Sequence, residues 1–351
     1  MTTTFSSLPV VDVGPLGAVS GATPEELVGL SKRLYEVFAT TGFAYLTNVP
    51  LSYDHAEVFN MSREFFALPQ EEKMKLAKKS FRREHKNTYR GSIPLHLLPK
   101  LASDNLKEGF EMGPATPIST QSGMSPSTKF NLAEPNVWPD KNQFRSRSKL
   151  ETLYIELQIL ASKLLSLLAM SLGKPANYFA PYLEDSLSTL RLLHYPPVAS
   201  TASGSGSTKP GEVNLSCTPH TDSGILTLLH QDSTGGLEVR NSSGEWVAAP
   251  YVPGSLVVNI GDLMAKVSGG RFVATMHRVR APGLSSSAST ITGHADWQIQ
   301  ASGRMSVPFF FEPGENCLVR SVDGDEGFVR YGEHVRAKMK TWVEFQDDED
   351  N

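Results

Sequence analysis

The spacing of apolar residues changes character about halfway along the chain. Helical spacing dominates the first half. Thr23-Pro24-Glu25-Glu26 forms a capping box with proline at the first helical position. Leu27, Leu30, Leu34, Val37 and Phe38 then fall on one helical face, and Gly42 ends the helix. The same spacing returns at Val58, Met61, Phe65 and Phe66. The longest helix is predicted over 148–172, stopping at Gly173, and its leucine stripe reads as core rather than as a partner zipper. Short strands are predicted over 10–13 and 43–47.

After residue 186 the period shortens. Apolar and β-branched runs at 189–195, 226–230, 237–240, 245–248, 256–260, 273–279 and 305–311 are separated by Gly, Pro, Asn and Ser. Many short strands at such spacing indicate a β-sandwich or barrel. With the helices segregated into the N-terminal half, the fold class is α+β, a double-sheet jelly roll flanked by helices. Two Ser/Gly-rich stretches, 199–212 and 283–303, read as surface loops, either lids over a site or chance loop growth.

Composition narrows the function classes. The 351 residues are 40% hydrophobic and 20% charged, an ordinary globular balance that suits one large domain or two small ones. A net charge of −4 supplies no basic footprint for nucleic acid. Two cysteines, Cys217 and Cys317, make no disulfide framework. The N-terminus lacks a basic and then apolar leader pattern, and the longest apolar runs are broken by Lys, Ser or Gly. A cytoplasmic protein with no membrane partner is the expectation.

Candidate chemistry sits in the β-rich half. His220 and Asp222 are two residues apart in Thr218-Pro219-His220-Thr221-Asp222, so in extended chain both face one side. His277 follows in an apolar run. Two imidazoles and a carboxylate on one face of an octahedron hold Fe(II) and leave three positions open. A His-x-Asp tripeptide alone is a common chance event, so the wider pattern carries the reading. Arg304-Met305-Ser306 adds a fixed cation and a hydroxyl two residues apart. Cys217 as a thiolate ligand is a weaker alternative to its reading as a small half-buried residue.

The surrounding motifs give the chain a family likeness. Phe65-Phe66-Ala67-Leu68-Pro69, Asn87-Thr88-Tyr89-Arg90-Gly91, Lys107-Glu108-Gly109-Phe110-Glu111 and Asn136-Val137-Trp138-Pro139 occur in order, followed by Leu190-Arg191-Leu192-Leu193-His194-Tyr195-Pro196-Pro197, Gly261-Asp262-Leu263-Met264 and Gly270-Arg271-Phe272. Over nearly its whole length the sequence resembles the Fe(II)- and 2-oxoglutarate-dependent dioxygenases of the isopenicillin N synthase-like type. The resemblance implies a distorted double-stranded β-helix, with an N-terminal region over 1–140 that contributes to the substrate pocket. A jelly-roll core with a long supporting helix and a C-terminal helix would cover 141–351. It implies His220, Asp222 and His277 as iron ligands, with Arg304, Ser306 and Tyr195 on 2-oxoglutarate. Arg suits that role because its planar fork holds a carboxylate bidentately.

The implied reaction couples decarboxylation of 2-oxoglutarate, giving succinate and CO2, to O2-driven oxidation of a C–H bond in a small metabolite of secondary metabolism. Hydroxylation, desaturation and ring closure are all compatible. Members that dispense with 2-oxoglutarate, such as isopenicillin N synthase, also carry Arg-x-Ser and form the alternative. Asn87, Tyr89, Arg90, Phe110, Thr275 and Phe310 are the implied substrate-pocket candidates.

Some features depart from the family pattern. The gap between His277 and Arg304 is longer than usual, and Arg278 and Arg280 are rival carboxylate partners. His294 is an alternative ligand on spacing alone. His194 and His230 read as core or supporting residues, and His55, His85, His96 and His334 as surface or loop residues.

Overall fold

The computed structural model describes residues 4–19, 21–95, 107–115, 132–197, 214–282, 303–324 and 327–340. The loops 199–212 and 283–303, apart from Gly303, lie outside these residues, as do His96 and His294.

The helical half follows its sequence signals. Helix α1 (Pro24–Thr40) begins with the expected reciprocal cap, in which the Glu26 amide donates to the Thr23 hydroxyl and the Thr23 amide to the Glu26 carboxylate. It ends just before Gly42, whose backbone is left-handed at φ 71°. A Cβ at that position would stand 2.3 Å from the Val273 carbonyl, so only glycine lets this corner approach the segment leading to His277. Helices α2 (His55–Phe66) and α3 (Gln70–Lys75) follow.

Helix α4 (Arg147–Ser171) is the long support, packed on α1, where the Ser31 hydroxyl donates to the Leu167 carbonyl at 2.9 Å. By length and composition it is apolar enough to cross a bilayer, contrary to the sequence expectation, because Lys163 and the scattered serines interrupt the apolar run too weakly. Its leucine stripe is instead buried in the protein, as for a core helix.

The strands form two facing sheets. The larger has the order β1-β2-β10-β7-β12-β5-β4-β3, and uses β1 (Val10–Asp12), β2 (Phe43–Thr47), β3 (Gly91–Ile93) and β4 (Glu108–Met112) from the N-terminal half. Its remaining members are β5 (Thr189–Tyr195), β7 (Leu226–Gln231), β10 (Leu256–Ile260) and β12 (Arg304–Phe311). The smaller has the order β6-β11-β8-β9, with β6 (Leu215–His220), β8 (Leu237–Arg240), β9 (Trp246–Ala248) and β11 (His277–Arg280). Strands β13 (Leu318–Val319) and β14 (Val329–Arg330) pair as a separate hairpin, and helices α5 (Asp262–Val267) and α6 (Tyr331–Met339) complete the chain.

This is the α+β jelly roll that the pattern predicts, with one local difference. The strand expected over 273–279 begins only at His277. Val273 and Thr275 are committed elsewhere: the Val273 amide donates to the Phe38 carbonyl and the Thr275 hydroxyl to the Thr41 carbonyl.

Candidate metal and co-substrate site

The two sheets enclose a cavity of about 510 Å³ that reaches His220, Asp222 and His277 at the small sheet and Arg304 and Ser306 at the large one. His220 ends β6 and His277 begins β11, and the two are cross-strand partners in register, with ring centroids 4.2 Å apart. Asp222 lies in the turn just beyond β6. Its Oδ1 is 3.8 Å from His220 Nε2 and 3.7 Å from His277 Nε2. Both gaps are within the roughly 4 Å that two metal bonds of about 2 Å would span.

The surroundings aim these three groups. His220 Nδ1 meets the Thr218 carbonyl at 2.8 Å and His277 Nδ1 meets the Thr275 carbonyl at 3.1 Å. Each contact fixes the proton on Nδ1 and turns Nε2 to the shared centre. Asp222 Oδ2 accepts from Thr227 at 2.5 Å and Asn259 at 2.8 Å, which leaves Oδ1 for the centre. The turn is held from below, since the amide of Asp262, at the start of α5, donates to the Asp222 carbonyl at 2.8 Å. Gly261 permits this, because a Cβ there would stand 2.3 Å from the Gly224 carbonyl.

Charge follows the same logic. Burial pushes the Asp222 carboxyl up, but the adjacent His277 and His220 and the two hydrogen bonds outweigh it and hold the group below the ordinary carboxylate range. Burial, with His220 alongside, lowers His277 to about 4, so it stays neutral, the form that ligates a metal. Burial also opposes a proton on His220, yet Cys217, whose Sγ is 3.7 Å from Nδ1, and Asp222 outweigh it and raise His220 to about 9, so a metal bound there would have to displace that proton. The donor set of two imidazoles and one carboxylate on one side of a cavity fits Fe(II) with open positions.

Across the cavity, Arg304 is 1% exposed. Its Nε donates to the Gly235 carbonyl at 2.7 Å and one terminal nitrogen to the Ser306 hydroxyl at 3.1 Å. The guanidinium lies 5.1 Å from the centre of the Tyr195 ring, its cross-strand partner on β5. Among the described residues no carboxylate comes within ion-pairing distance of it. A buried cation without a protein anion is costly, and an anionic ligand relieves the cost. The rivals Arg278 and Arg280 are engaged elsewhere: both pair with Glu238, at 2.7 and 2.6 Å, and Arg278 also stacks on Trp246.

The substrate-pocket candidates divide. Tyr89 and Phe310 line the cavity. The other four do not. The Asn87 amide donates to the backbone carbonyls of Leu76, Ala77 and Arg90 and pins a loop. Arg90 is buried, with its guanidinium donating to Thr189 and the Leu187 carbonyl and packed on the Tyr89 ring. Phe110 packs with Phe65 and Trp138 in the core. Thr275 anchors the corner at Thr41.

The other histidines are also resolved. His194 pairs with Glu108 at 2.8 Å, and His230 is buried with its ring 4.9 Å from that of His55. His55 and His334 are therefore not simple surface residues: one starts α2 against β7, and the other, on α6, contacts the Ser223 carbonyl at 3.2 Å. His85 contacts the Ala77 carbonyl at 2.7 Å.

Several cavity residues escaped the sequence reading, chiefly Arg191 and Glu312. The signal was available, because strand alternation carries Tyr195 to Leu193 to Arg191 on β5, and Arg304 to Ser306 to Phe310 to Glu312 along β12 and its exit.

Comparison with known proteins completes the picture. The description "2OG-Fe(II) oxygenase superfamily" matches residues 186–313, and "non-haem dioxygenase in morphine synthesis N-terminal" matches 8–141. A homoarginine-6-hydroxylase of Glycine max is 30% identical over 97% of this chain and 98% of its own. A clavatol oxidase of Penicillium crustosum is 31% identical over 95% of each chain. A crystal structure of a full-length Neurospora crassa protein in complex with alpha-KG (2-oxoglutarate) and thymine superposes with a TM-score of 0.72 at 25% identity, covering 95% of this chain and 97% of that one. The chain belongs to the Fe(II)- and 2-oxoglutarate-dependent oxygenase superfamily. It is an oxidoreductase that uses Fe(II), 2-oxoglutarate and O2. These relatives do not favour the alternative without 2-oxoglutarate.

Proposed function

We propose that His220, Asp222 and His277 hold the iron and that Arg304, with Ser306 and Tyr195, holds the distal carboxylate of 2-oxoglutarate. The reaction oxidises a C–H bond of a small metabolite, by hydroxylation or by desaturation or ring closure, and releases succinate and CO2. The observation that carries the assignment is the pairing across one cavity of a three-donor cluster with a buried arginine that, among the described residues, has no carboxylate within ion-pairing distance. The bound iron supplies O2 activation. The residues of the chain supply position, charge and exclusion of water. Thr227 and Asn259 fix which carboxylate oxygen faces the metal. The Gly235 carbonyl and Ser306 fix the plane of the Arg304 guanidinium, so the co-substrate arrives with its keto-acid end toward the histidines. Phe43, Leu229 and Val279 add apolar surface to the lining of this end of the cavity.

Small-molecule substrates of the relatives support this reading, and a role in secondary metabolism accords with the clavatol oxidase. The test is anaerobic. Addition of Fe(II) and then 2-oxoglutarate to the metal-free protein is expected to produce the visible charge-transfer band of keto-acid chelation, and Arg304→Ala to lose it at the same co-substrate concentration. An unaltered band in that variant would sink the Arg304 assignment.

A further inference from the structure

The turn that carries Asp222 belongs to no strand. Residues 221–225 join the end of β6 to the start of β7, with Thr221 half-buried and the rest buried. Backbone carbonyls held away from water need donors, and here no sheet ladder supplies them. They are met from two sides. The Asp222 and Gly224 carbonyls accept from the amides of Asp262 and Leu263, at 2.8 and 3.2 Å, and the Ile225 carbonyl from the Gly261 amide at 3.0 Å. Those amides belong to the cap and first turn of α5, where they have no partner inside the helix. Two unmet demands thus satisfy each other.

The other two carbonyls are met by side chains of α6. Lys338 Nζ donates to the Thr221 carbonyl at 3.2 Å, and His334 Nε2 contacts the Ser223 carbonyl at 3.2 Å. His334 and Lys338 are four residues apart and share one helical face. Lys338 does more than meet a carbonyl. Its ammonium also pairs with the Asp262 carboxylate, on the residue whose amide holds Asp222, and the side chain lines the metal cavity. One lysine therefore ties α6, α5 and the turn together. The helix is itself anchored, because Tyr331, Val335 and Met339 are buried in the main core.

The consequence concerns the metal. Thr221 stands between two ligands, so whatever holds its carbonyl limits the swing of both His220 and Asp222. A turn fixed before the metal arrives loses less freedom when it binds. We propose that Lys338 is a positioning residue for the iron centre, acting from the C-terminal helix on the Thr221 carbonyl and on Asp262, and through them on His220 and Asp222. The proposal rests on the iron reading above. A plain ion pair at this exposure, with about 30% of each side chain open, would contribute little to the fold. Positioning differs from it by an effect that appears with the metal.

The test measures Fe(II) affinity of the full chain by anaerobic competition against a chelator of known affinity. It compares the unsubstituted protein, Lys338→Met and Lys338→Arg, beside thermal melts of each protein without metal. Methionine removes the donor and the charge, whereas arginine keeps both. Lys338→Met is expected to lose about tenfold in Fe(II) affinity, the lower end of what outer contacts of metal ligands contribute, with its metal-free melting temperature unchanged. Lys338→Arg is expected to recover most of that loss. A loss below about threefold in Lys338→Met, equal losses in both variants, or a metal-free melting temperature that falls in step with affinity overturns the proposal. The unsubstituted protein separates the two readings. Failure to bind Fe(II) there defeats the iron assignment itself, while binding that Lys338→Met leaves intact defeats only the role of Lys338.

Discussion

The two ends of the cavity are built on opposite terms. At the end where iron and co-substrate belong, supporting contacts are already made. Both histidines have their Nδ1 atoms on backbone carbonyls, Asp222 has Oδ2 on two donors, and Arg304 is held by Gly235 and Ser306. At the other end the charged groups are tied to one another: Glu111 pairs with Lys78 and Arg191, and Tyr331, Arg90 and Arg191 face the Glu312 carboxyl. Preorganised groups suit ligands that never change.

Disabling the finished end should produce the largest effects. His220→Ala is expected to abolish iron binding and turnover while the fold persists, because the ring is half-exposed and carries no core packing. Metal content by elemental analysis, beside a circular dichroism spectrum, checks both halves of that statement. Arg304→Ala should weaken 2-oxoglutarate by about 2–5 kcal/mol, the usual consequence of removing one member of a buried charge pair. Titration of the keto-acid band measures it, and a loss below threefold would mean that another cation holds the carboxylate.

Legibility in the sequence follows the same division. The metal end is read from short motifs, because His220 and Asp222 are two residues apart and Arg304 and Ser306 share one strand face. Local spacing suffices there. The substrate end is assembled from β3, the loop before it, Lys107, β5 and the exit of β12, segments far apart in sequence. Asn87 and Arg90 sit in a loop that does approach the cavity, but the Asn87 amide turns back onto the backbone and the Arg90 guanidinium onto the Thr189 hydroxyl and the Leu187 carbonyl. Phe110 alternates onto the outer face of its strand while Glu111 takes the inner one. Strand alternation extended from Arg304 by eight residues reaches Glu312, yet no pattern in one sequence says that its carboxyl is buried. The shortened strand before His277 is a tertiary effect as well, since Gly42 and Thr41 draw that segment out of the sheet.

A smaller effect should come from the supports of Asp222. Asn259→Ala removes the donor at 2.8 Å on Oδ2 without touching a metal-facing atom. Outer contacts of this kind typically contribute 10–100-fold in metal affinity. Competition against a chelator of known affinity should place Asn259→Ala in that range, with the Thr227 contact retained. An unchanged affinity would show that Thr227 alone orients the carboxylate and would make the metal end less redundantly built than it looks.

The smallest effect is expected at Glu312, on the exit of β12. Burial raises the Glu312 carboxyl from an ordinary value near 4.5 to about 7. Its folded-state value thus lies above its unfolded one, so the folded protein binds the extra proton and stability from this group is complete below pH 4.5. That contribution is lost as pH rises through 7. Glu312→Gln is neutral throughout and lacks this dependence. The difference in unfolding free energy between the variant and the unsubstituted protein should therefore move in the variant's favour between about pH 5 and pH 8, by on the order of 3 kcal/mol at most. Denaturant melts at both pH values, without substrate, measure it. A difference that stays flat would mean that the hydrogen bond from Tyr331 and the charges of Arg90 and Arg191 cancel the effect of burial on Glu312.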